Sequence, residues 1–126
     1  MRDFKSMKVW EKGHMLTLAV YRATQSFPTE ERYGLVSQMR RSASSVPANI
    51  AEGCGRIGDP ELARFCQLSF GSAAELEYWL LLARDLGYLT DAAYDGLLAS
   101  TVEVKRMLGA LLSTLRGVST NRKLTG

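Results

Sequence analysis

Residues 38–56 read QMRRSASSVPANIAEGCGR, and this stretch decides the fold. Its polar residues recur at spacings of three and four, which places them on one face of a helix. The members of this polar stripe are Gln38, Arg41, Ser45, Asn49, Glu52 and Arg56. Small alanines and serines between them allow a neighbouring helix to pack closely. The stripe is therefore either a structural polar network between helices or a binding surface.

The polar stripe belongs to a longer predicted helix that runs from Glu30 to about Gly53, with Thr29 as its N-cap. Pro47 lies inside this helix, where it removes a backbone N–H and clashes with the carbonyl of Ala43. We expect a kink there rather than a break, because the apolar pattern continues beyond the proline. The serines that could bond the freed backbone groups are Ser42, Ser44 and Ser45.

Helices on both sides of this stretch carry apolar seams at heptad spacing. Helix 1 runs from about Ser6 to Ser26, and helix 4 starts after Thr90 and ends before Gly117. The seams are Val9, Gly13, Leu16, Val20, Ala23 and Phe27 in helix 1, and Leu97, Thr101, Val104, Leu108, Leu111 and Leu115 in helix 4. Both helices should therefore pack one face into a common core.

Helix 3 is predicted from Pro60 to about Leu86, with Asp59 as its N-cap and Gly87 as its left-handed C-cap. It is apolar around much of its circumference, so we expect part of it to meet another subunit or the C-terminal tail. Four helices with short connections predict an all-α protein, an antiparallel up-down-up-down four-helix bundle over residues 1–117. Residues 118–126 are predicted to be a disordered basic tail.

The same stretch resembles a bacterial four-helix-bundle family first noticed as open reading frames within intervening sequences of large-subunit ribosomal RNA genes. The resemblance spans about residues 4–116 and is most specific in the run Pro47-Ala48-Asn49-Ile50-Ala51-Glu52-Gly53. Further matching segments are Tyr33-Gly34-Leu35, Gln38, Arg40-Arg41-Ser42-Ala43, Lys8-Val9-Trp10, Phe27-Pro28 and the run from Gly71 to Glu77. The resemblance implies a bundle that assembles as a ring, a homopentamer. The family is also similar to the accessory protein of diversity-generating retroelements, which binds nucleic acid and a reverse transcriptase.

The charge of the chain is concentrated at one end of the sequence. Residues 1–115 hold 13 basic and 13 acidic side chains, so the net charge of +3 comes from Arg116, Arg122 and Lys123. The body therefore lacks the overall basic bias of a dedicated nucleic-acid binder, and a basic surface would have to arise from local clustering or ring assembly. The N-terminal residues are charged and no long apolar run follows, so we expect a cytoplasmic protein.

Catalytic and cofactor motifs are weak in this chain. The glycines of residues 53–58 match a dinucleotide-binding spacing, but a helix precedes them and acidic residues follow, which is unfavourable for phosphate. A single histidine, His14, cannot complete a di-iron or zinc site. Ser72, for which His14 is the only possible imidazole base, lies in Gly-Ser-Ala-Ala and not in the Gly-x-Ser-x-Gly of a nucleophilic serine. Glu52 and Glu75 could form an acid–base pair, although a structural network that joins Glu75 and the polar stripe is favoured. We therefore expect no enzyme activity, cofactor or metal.

Two functions from different classes remain. The first is a non-enzymatic ring-forming bundle that binds RNA, DNA or a nucleic-acid enzyme such as a reverse transcriptase. Its candidate contacts are Arg40, Arg56, Arg64, Lys105, Arg106, Arg116, Arg122 and Lys123. The second is an assembly scaffold that binds another protein, with a purely structural stripe. In either case Arg41 is expected to be buried and to pair with Glu75 or Glu52.

Overall fold

A computed structural model describes residues 2–117, and the regular structure in that range is entirely helical. The α-helices are α1 (Lys8–Thr24), α2 (Leu35–Cys54), α3 (Asp59–Asp85) and α4 (Asp91–Leu115), with 3-10 turns at Phe4–Ser6 and Thr29–Glu31. The predicted all-α, four-helix architecture is confirmed. Within residues 2–117, none of the helices combines the length and the apolar character needed to cross a membrane. The predicted tail at 118–126, with Arg122 and Lys123, lies outside the described residues.

Consecutive helices contact each other in opposite order along the chain. The hydrogen-bonded pairs are Thr17–Ala43 and Thr24–Arg40 for α1 and α2, Val46–Ser69 and Arg41–Glu75 for α2 and α3, and Gln67–Arg116 and Glu77–Lys105 for α3 and α4. In each set a later residue on one helix meets an earlier residue on the next, as antiparallel packing requires. The first halves of α1 and α3 therefore lie at the same end as the second halves of α2 and α4.

The core contains one apolar face of each helix. The α1 seam is buried as predicted, except for the half-buried Ala23. On α4 the buried series passes from Leu108 to Leu112, whereas the predicted Leu111 and Leu115 are half-buried. An α-helix has 3.6 residues per turn, so the buried face of a straight helix drifts by about 20° per heptad from a strict heptad pattern. This drift accounts for the displaced end of the α4 seam.

The predicted start of helix 2 is wrong by about one turn and a half. The helix begins at Leu35, and the segment before it forms the short 3-10 turn Thr29–Glu31. Thr29 is therefore no N-cap of this helix. Instead, the Glu31 carboxylate accepts a hydrogen bond from the Leu35 N–H at 3.2 Å. An acid within the preceding turn thus bonds one of the free N–H groups at the actual start of the helix.

The ends of helices 3 and 4 follow the sequence signals more closely. Gly87 has a φ of +81° and ends helix 3, as predicted, and the next N–H reaches back to Ala83 O at 2.9 Å. Thr90 caps α4 by accepting from Ala93 N at 3.1 Å. The N-cap of α3 is Gly58, with a φ of +90°, and not Asp59. The Asp59 carboxylate pairs with Arg2 at 3.0 Å, which removes it from the capping position.

Pro47 lies inside the continuous helix α2, and its missing N–H leaves Ala43 O without a helical donor. Thr17 Oγ1 of α1 lies 3.0 Å from this carbonyl and 2.9 Å from Gly13 O of its own helix, so its single hydroxyl proton is shared between the two acceptors. The expectation that the neighbouring serines bond the freed group is wrong. Their hydroxyls donate to other α2 carbonyls, Ser42 to Met39, and Ser44 and Ser45 to Arg41. The predicted kink at Pro47 stays a prediction.

The segment before α1 packs against the end of α2. Arg2 N donates to Cys54 O at 3.0 Å, and the sulfur atoms of Met7 and Cys54 lie 3.3 Å apart. Cys54 and Cys66 are both free thiols with little exposure. Burial raises the pKa of both, that of Cys66 to about 11, so both stay protonated at neutral pH. They are therefore suited to packing rather than to nucleophilic chemistry.

Candidate nucleic-acid interface

The N-terminal part of the polar stripe, Gln38 and Arg41, connects α2 to α3. Arg41 Nη2 donates to Gln38 Oε1 at 2.8 Å and lies 3.4 Å from Glu75 Oε2. Trp79 Nε1 donates to the same carboxylate oxygen at 3.0 Å. The sequence predicted a structural polar network of six residues, Gln38, Arg41, Ser45, Asn49, Glu52 and Glu75. The structure brings three of them together, Gln38, Arg41 and Glu75, and adds the indole of Trp79.

The C-terminal part of the stripe, from Ser45 onward, makes its hydrogen bonds within its own segment of chain. Ser45 Oγ donates to Arg41 O at 2.7 Å, and Asn49 Nδ2 donates to Ser45 O at 2.8 Å. Glu52 pairs with Arg56 at 2.9 Å, one turn further on. Glu52 and Glu75 thus take separate arginine partners. Among the six residues, side-chain to side-chain bonds join only Gln38, Arg41 and Glu75, whereas Ser45 and Asn49 bond backbone carbonyls and Glu52 pairs with Arg56.

The expectation that Arg41 is buried is wrong. Its side chain is 62% exposed, and that of its partner Glu75 is 37% exposed. The buried face of α2 passes through Met39, Ala43 and Val46, which leaves Arg41 at the edge of the α2–α3 contact. A shared helix face identifies which residues are neighbours, but it does not fix whether that face points at another helix or at solvent.

Replacing Arg41 by alanine is therefore expected to lower the free energy of unfolding by only ~0–1 kcal/mol, the range for exposed ion pairs. Arg56→Ala is the matched control, because Arg56 also pairs with a glutamate on an exposed part of α2. Thermal melts of both variants should nearly coincide with that of the unchanged protein. A loss of ~3–5 kcal/mol for Arg41→Ala alone would instead indicate a buried charge pair.

Three of the candidate basic contacts lie together around the start of α3. The guanidinium carbons of Arg56 and Arg64 lie 5.1 and 4.5 Å from the ring centroid of the buried Phe65. Arg64 also lines a groove of about 570 Å³ with Arg116, whose Nη2 donates to Gln67 Oε1 at 3.1 Å. These three exposed guanidinium groups are held over a short stretch of surface.

Carboxylates accompany two of these arginines. Glu52 pairs with Arg56 at 2.9 Å, and Glu61 pairs with Arg64 at 3.0 Å. The hydrogen bond from Arg64 lowers the pKa of the Glu61 carboxyl, so that group is ionised at neutral pH. A phosphate that binds Arg56 or Arg64 must therefore share or displace a carboxylate. Arg116 donates to the uncharged Gln67, so within residues 2–117 a phosphate that binds it has no paired carboxylate to displace.

The other candidate contacts lie elsewhere. Arg40 Nε donates to Thr24 Oγ1 at 2.9 Å, and the guanidinium covers the ring of Tyr21 at 4.7 Å. Lys105 Nζ donates to Glu77 at 2.8 Å and links α4 to α3. Arg106 is exposed on α4. The candidates within residues 2–117 therefore do not form a single patch.

A division of the bundle at the helix midpoints nevertheless separates the charges. We define the basic half as residues 2–16, 45–72 and 103–117, and the acidic half as residues 17–44 and 73–102. The basic half holds nine basic side chains, Arg2, Lys5, Lys8, Lys12, Arg56, Arg64, Lys105, Arg106 and Arg116, against six acidic ones, Asp3, Glu11, Glu52, Asp59, Glu61 and Glu103. The acidic half holds five basic side chains, Arg22, Arg32, Arg40, Arg41 and Arg84, against seven acidic ones, Glu30, Glu31, Glu75, Glu77, Asp85, Asp91 and Asp95. Formal charges of +3, to which Arg116 contributes, and −2 thus lie at opposite ends of a bundle whose residues 1–115 are balanced in sequence.

Comparison with known proteins assigns the chain to a family. Residues 5–110 match the family model of the 23S rRNA-intervening sequence protein. The chain belongs to this family. Among solved structures, it is similar to a protein of unknown function from the S23 ribosomal protein family of Bacteroides thetaiotaomicron, with a TM-score of 0.75 and 21% sequence identity. That match covers 82% of this chain and 97% of the other, and at this identity it supports the fold alone. Comparison with curated proteins finds no significant match.

The family match confirms the resemblance inferred from the sequence, and it covers every described candidate contact except Arg116. Sequence reasoning about charge missed the lysines at the start of the chain, Lys5, Lys8 and Lys12, which belong to the basic half. It also missed the aromatic contact between Trp10 and His14. The spacing of four between those two residues was the available signal, because such residues are neighbours on a helix surface.

Proposed function

We propose that this chain is a non-enzymatic, ring-forming bundle whose basic half binds nucleic acid through phosphate contacts. The observation that carries the proposal is the separation of charge between the two halves of the bundle. Five of the six candidate contacts within residues 2–117 lie in the basic half, and Arg40 is the exception. The name of the family refers to 23S rRNA, which favours RNA as the first ligand to test.

The arginines around Phe65 supply a physical mechanism for this binding. Ring and guanidinium are already in contact, so Arg56 and Arg64 lose less side-chain freedom when a phosphate arrives. The attraction is mainly electrostatic and releases counterions from the nucleic acid, so affinity should depend steeply on salt and weakly on sequence. The separate partners of Glu52 and Glu75 support the proposal that no acid–base chemistry takes place here.

The outer face of α3 supports the proposed assembly into a ring, a homopentamer by the family resemblance. Tyr78 and Leu81 are 54% and 37% exposed on this face, and a Cβ added at Gly71 would meet no atom within 4 Å. Small and apolar exposed residues allow a second chain to approach closely. Ring assembly would repeat the basic half once per subunit and strengthen its field. Light scattering is expected to give several times the chain mass of 13.9 kDa, and a monomer mass would contradict the ring.

Matched charge variants test the role of the basic half. The double variant Arg64→Gln and Arg116→Gln should weaken binding to a short labelled RNA or DNA duplex. It should also reduce the slope of log affinity against log salt by about one for each contact removed. The control is Arg22→Gln with Arg32→Gln, which removes the same charge from exposed positions of the acidic half. This control should bind almost as tightly as the unchanged protein.

The outcome separates the candidate functions. Equal weakening by both double variants would mean that overall charge acts and that the basic half has no special role. Absence of binding even at low salt, where the electrostatic attraction is strongest, would favour a protein-binding scaffold. The exposed apolar face of α3 is the observation that favours this second function, with a nucleic-acid enzyme such as a reverse transcriptase as one candidate partner.

A further inference from the structure

Aromatic rings form a row along α1 that the proposed phosphate contacts do not use. The rings of Trp10 and His14 are stacked, with centroids 5.1 Å apart and planes inclined by only 6°. Phe4, from the preceding 3-10 turn, meets Trp10 edge-on at 4.9 Å. Tyr21 lies two turns beyond His14 on the same face, by helical spacing. We call Phe4, Trp10, His14 and Tyr21 the aromatic row.

The row is accessible from solvent. His14 is exposed, while Trp10 and Phe4 are half-buried against the core. One face of the imidazole ring covers Trp10, which leaves the opposite face for a planar ligand. Tyr21 is 42% exposed. From Trp10 to Tyr21 the row extends about 16 Å along the helix axis, at ~1.5 Å per residue.

Cations stand at both ends of the row. Lys5 Nζ lies 5.8 Å from the Phe4 ring centroid, and the Arg40 guanidinium lies 4.7 Å from that of Tyr21. The edge of α2 beside the row contains, at the helical spacing of Arg40, the uncharged residues Ser37, Ser44, Ala48 and Ala51. Glu11, the acidic residue next to Trp10 in sequence, lines the groove between α1 and α4 instead. The row of rings is thus flanked by a cation at each end, and the neighbouring edge of α2 adds no acidic side chain.

We propose that the aromatic row is a stacking platform for single-stranded nucleic acid, an inference that rests on the proposed function. Bases in a single strand have free faces that stack on aromatic side chains, whereas bases in a duplex already stack on each other. The cations at the ends are placed to contact the phosphates of such a strand. The row starts in the basic half, so a strand attracted there could continue along α1 towards Arg40.

The test compares single-stranded and duplex RNA of equal length on the full chain. His14→Ala should weaken single-strand binding roughly fivefold or more, the effect of losing one stacked base, and leave duplex binding unchanged. His14→Phe keeps a ring at the same position and should retain single-strand binding. Tyr33→Ala is the control, because Tyr33 is an aromatic residue 88% exposed in the acidic half. It should change neither affinity.

Each outcome decides the inference. An unchanged single-strand affinity in His14→Ala, or an equal loss for both ligands, would overturn the stacking platform and leave the proposed function standing. Loss of single-strand binding in His14→Phe as well would show that the imidazole is needed for something other than stacking, which also overturns the platform. If the unchanged protein binds neither ligand at low salt, the proposed function and the platform both fail.

Discussion

Replacing Thr17 by valine is expected to lower the free energy of unfolding by about 1–3 kcal/mol. Valine has nearly the shape of threonine, so the change removes a hydroxyl and leaves the packing intact. The hydroxyl shares its proton between Gly13 O at 2.9 Å, which is four residues earlier on α1, and Ala43 O at 3.0 Å. Pro47 cannot supply the helical N–H for Ala43 O. In Thr17→Val this buried acceptor would lose its partner, and the cost of an unsatisfied buried group exceeds the modest gain of an ordinary hydrogen bond.

The control for this change is Thr114→Val on α4. Thr114 Oγ1 also donates to the carbonyl four residues earlier, that of Ala110 at 3.2 Å, but the side chain is exposed. Water can replace the lost bond there, so we expect little change in stability. Urea unfolding curves of both variants give the comparison. Equal and small effects would mean that Ala43 O finds another donor, and the role assigned to Thr17 would then be wrong.

Replacing Gly53 by alanine is expected to destabilise the protein by about 1–3 kcal/mol, the usual cost of overfilling a packed site. A Cβ at this position would lie 2.8 Å from Phe65 Cβ and 3.0 Å from Leu62 Cδ1. Phe65 Cβ is fixed to its backbone, so relief requires α2 and α3 to move apart. The close approach of the two helices therefore depends on the missing side chain.

Gly109→Ala is the matched control, because Gly109 lies inside α4 and an added Cβ there would meet no atom within 4 Å. Alanine forms helix more readily than glycine, so this variant should gain roughly 0.5–1 kcal/mol. The two changes are chemically identical and should have opposite signs in the same thermal melt. A stabilised Gly53→Ala would mean that the α2–α3 contact tolerates a methyl group.

Much of the fold could be predicted from the sequence because its signals are local. The seams of α1 and α4, the left-handed Gly87 and the capping Thr90 each depend on residues a few positions apart. The start of α2 could not be predicted, because acids after a proline suit both a helix and a 3-10 turn. Which of the two forms depends on Glu31, whose carboxylate accepts hydrogen bonds from Leu35 N and from the hydroxyl of Tyr88 in a distant segment.

The candidate site depends on contacts that sequence spacing does not contain. The sequence left Glu75 and Glu52 open as partners of Arg41, and the structure selects Glu75 in a pair that faces solvent. Charge counting along the chain gave a balanced body, because the basic and acidic halves each combine segments from all the helices. The imbalance becomes visible only after the antiparallel order of the helices is known. Neighbours such as Trp10 and His14 were within reach of the sequence, since both lie on one helix.

The bond between Thr17 and Ala43 O has a consequence for how the sequence can vary. An alanine in place of Pro47 would supply the helical N–H to that carbonyl, and position 17 would then need no hydroxyl. With the proline present, a side chain at position 17 that cannot donate a hydrogen bond leaves this buried carbonyl unpaired and lowers stability. The two positions are distant in sequence and lie on different helices. Substitutions at them are nevertheless coupled, because the stability cost of losing the Thr17 hydroxyl depends on whether Pro47 is present.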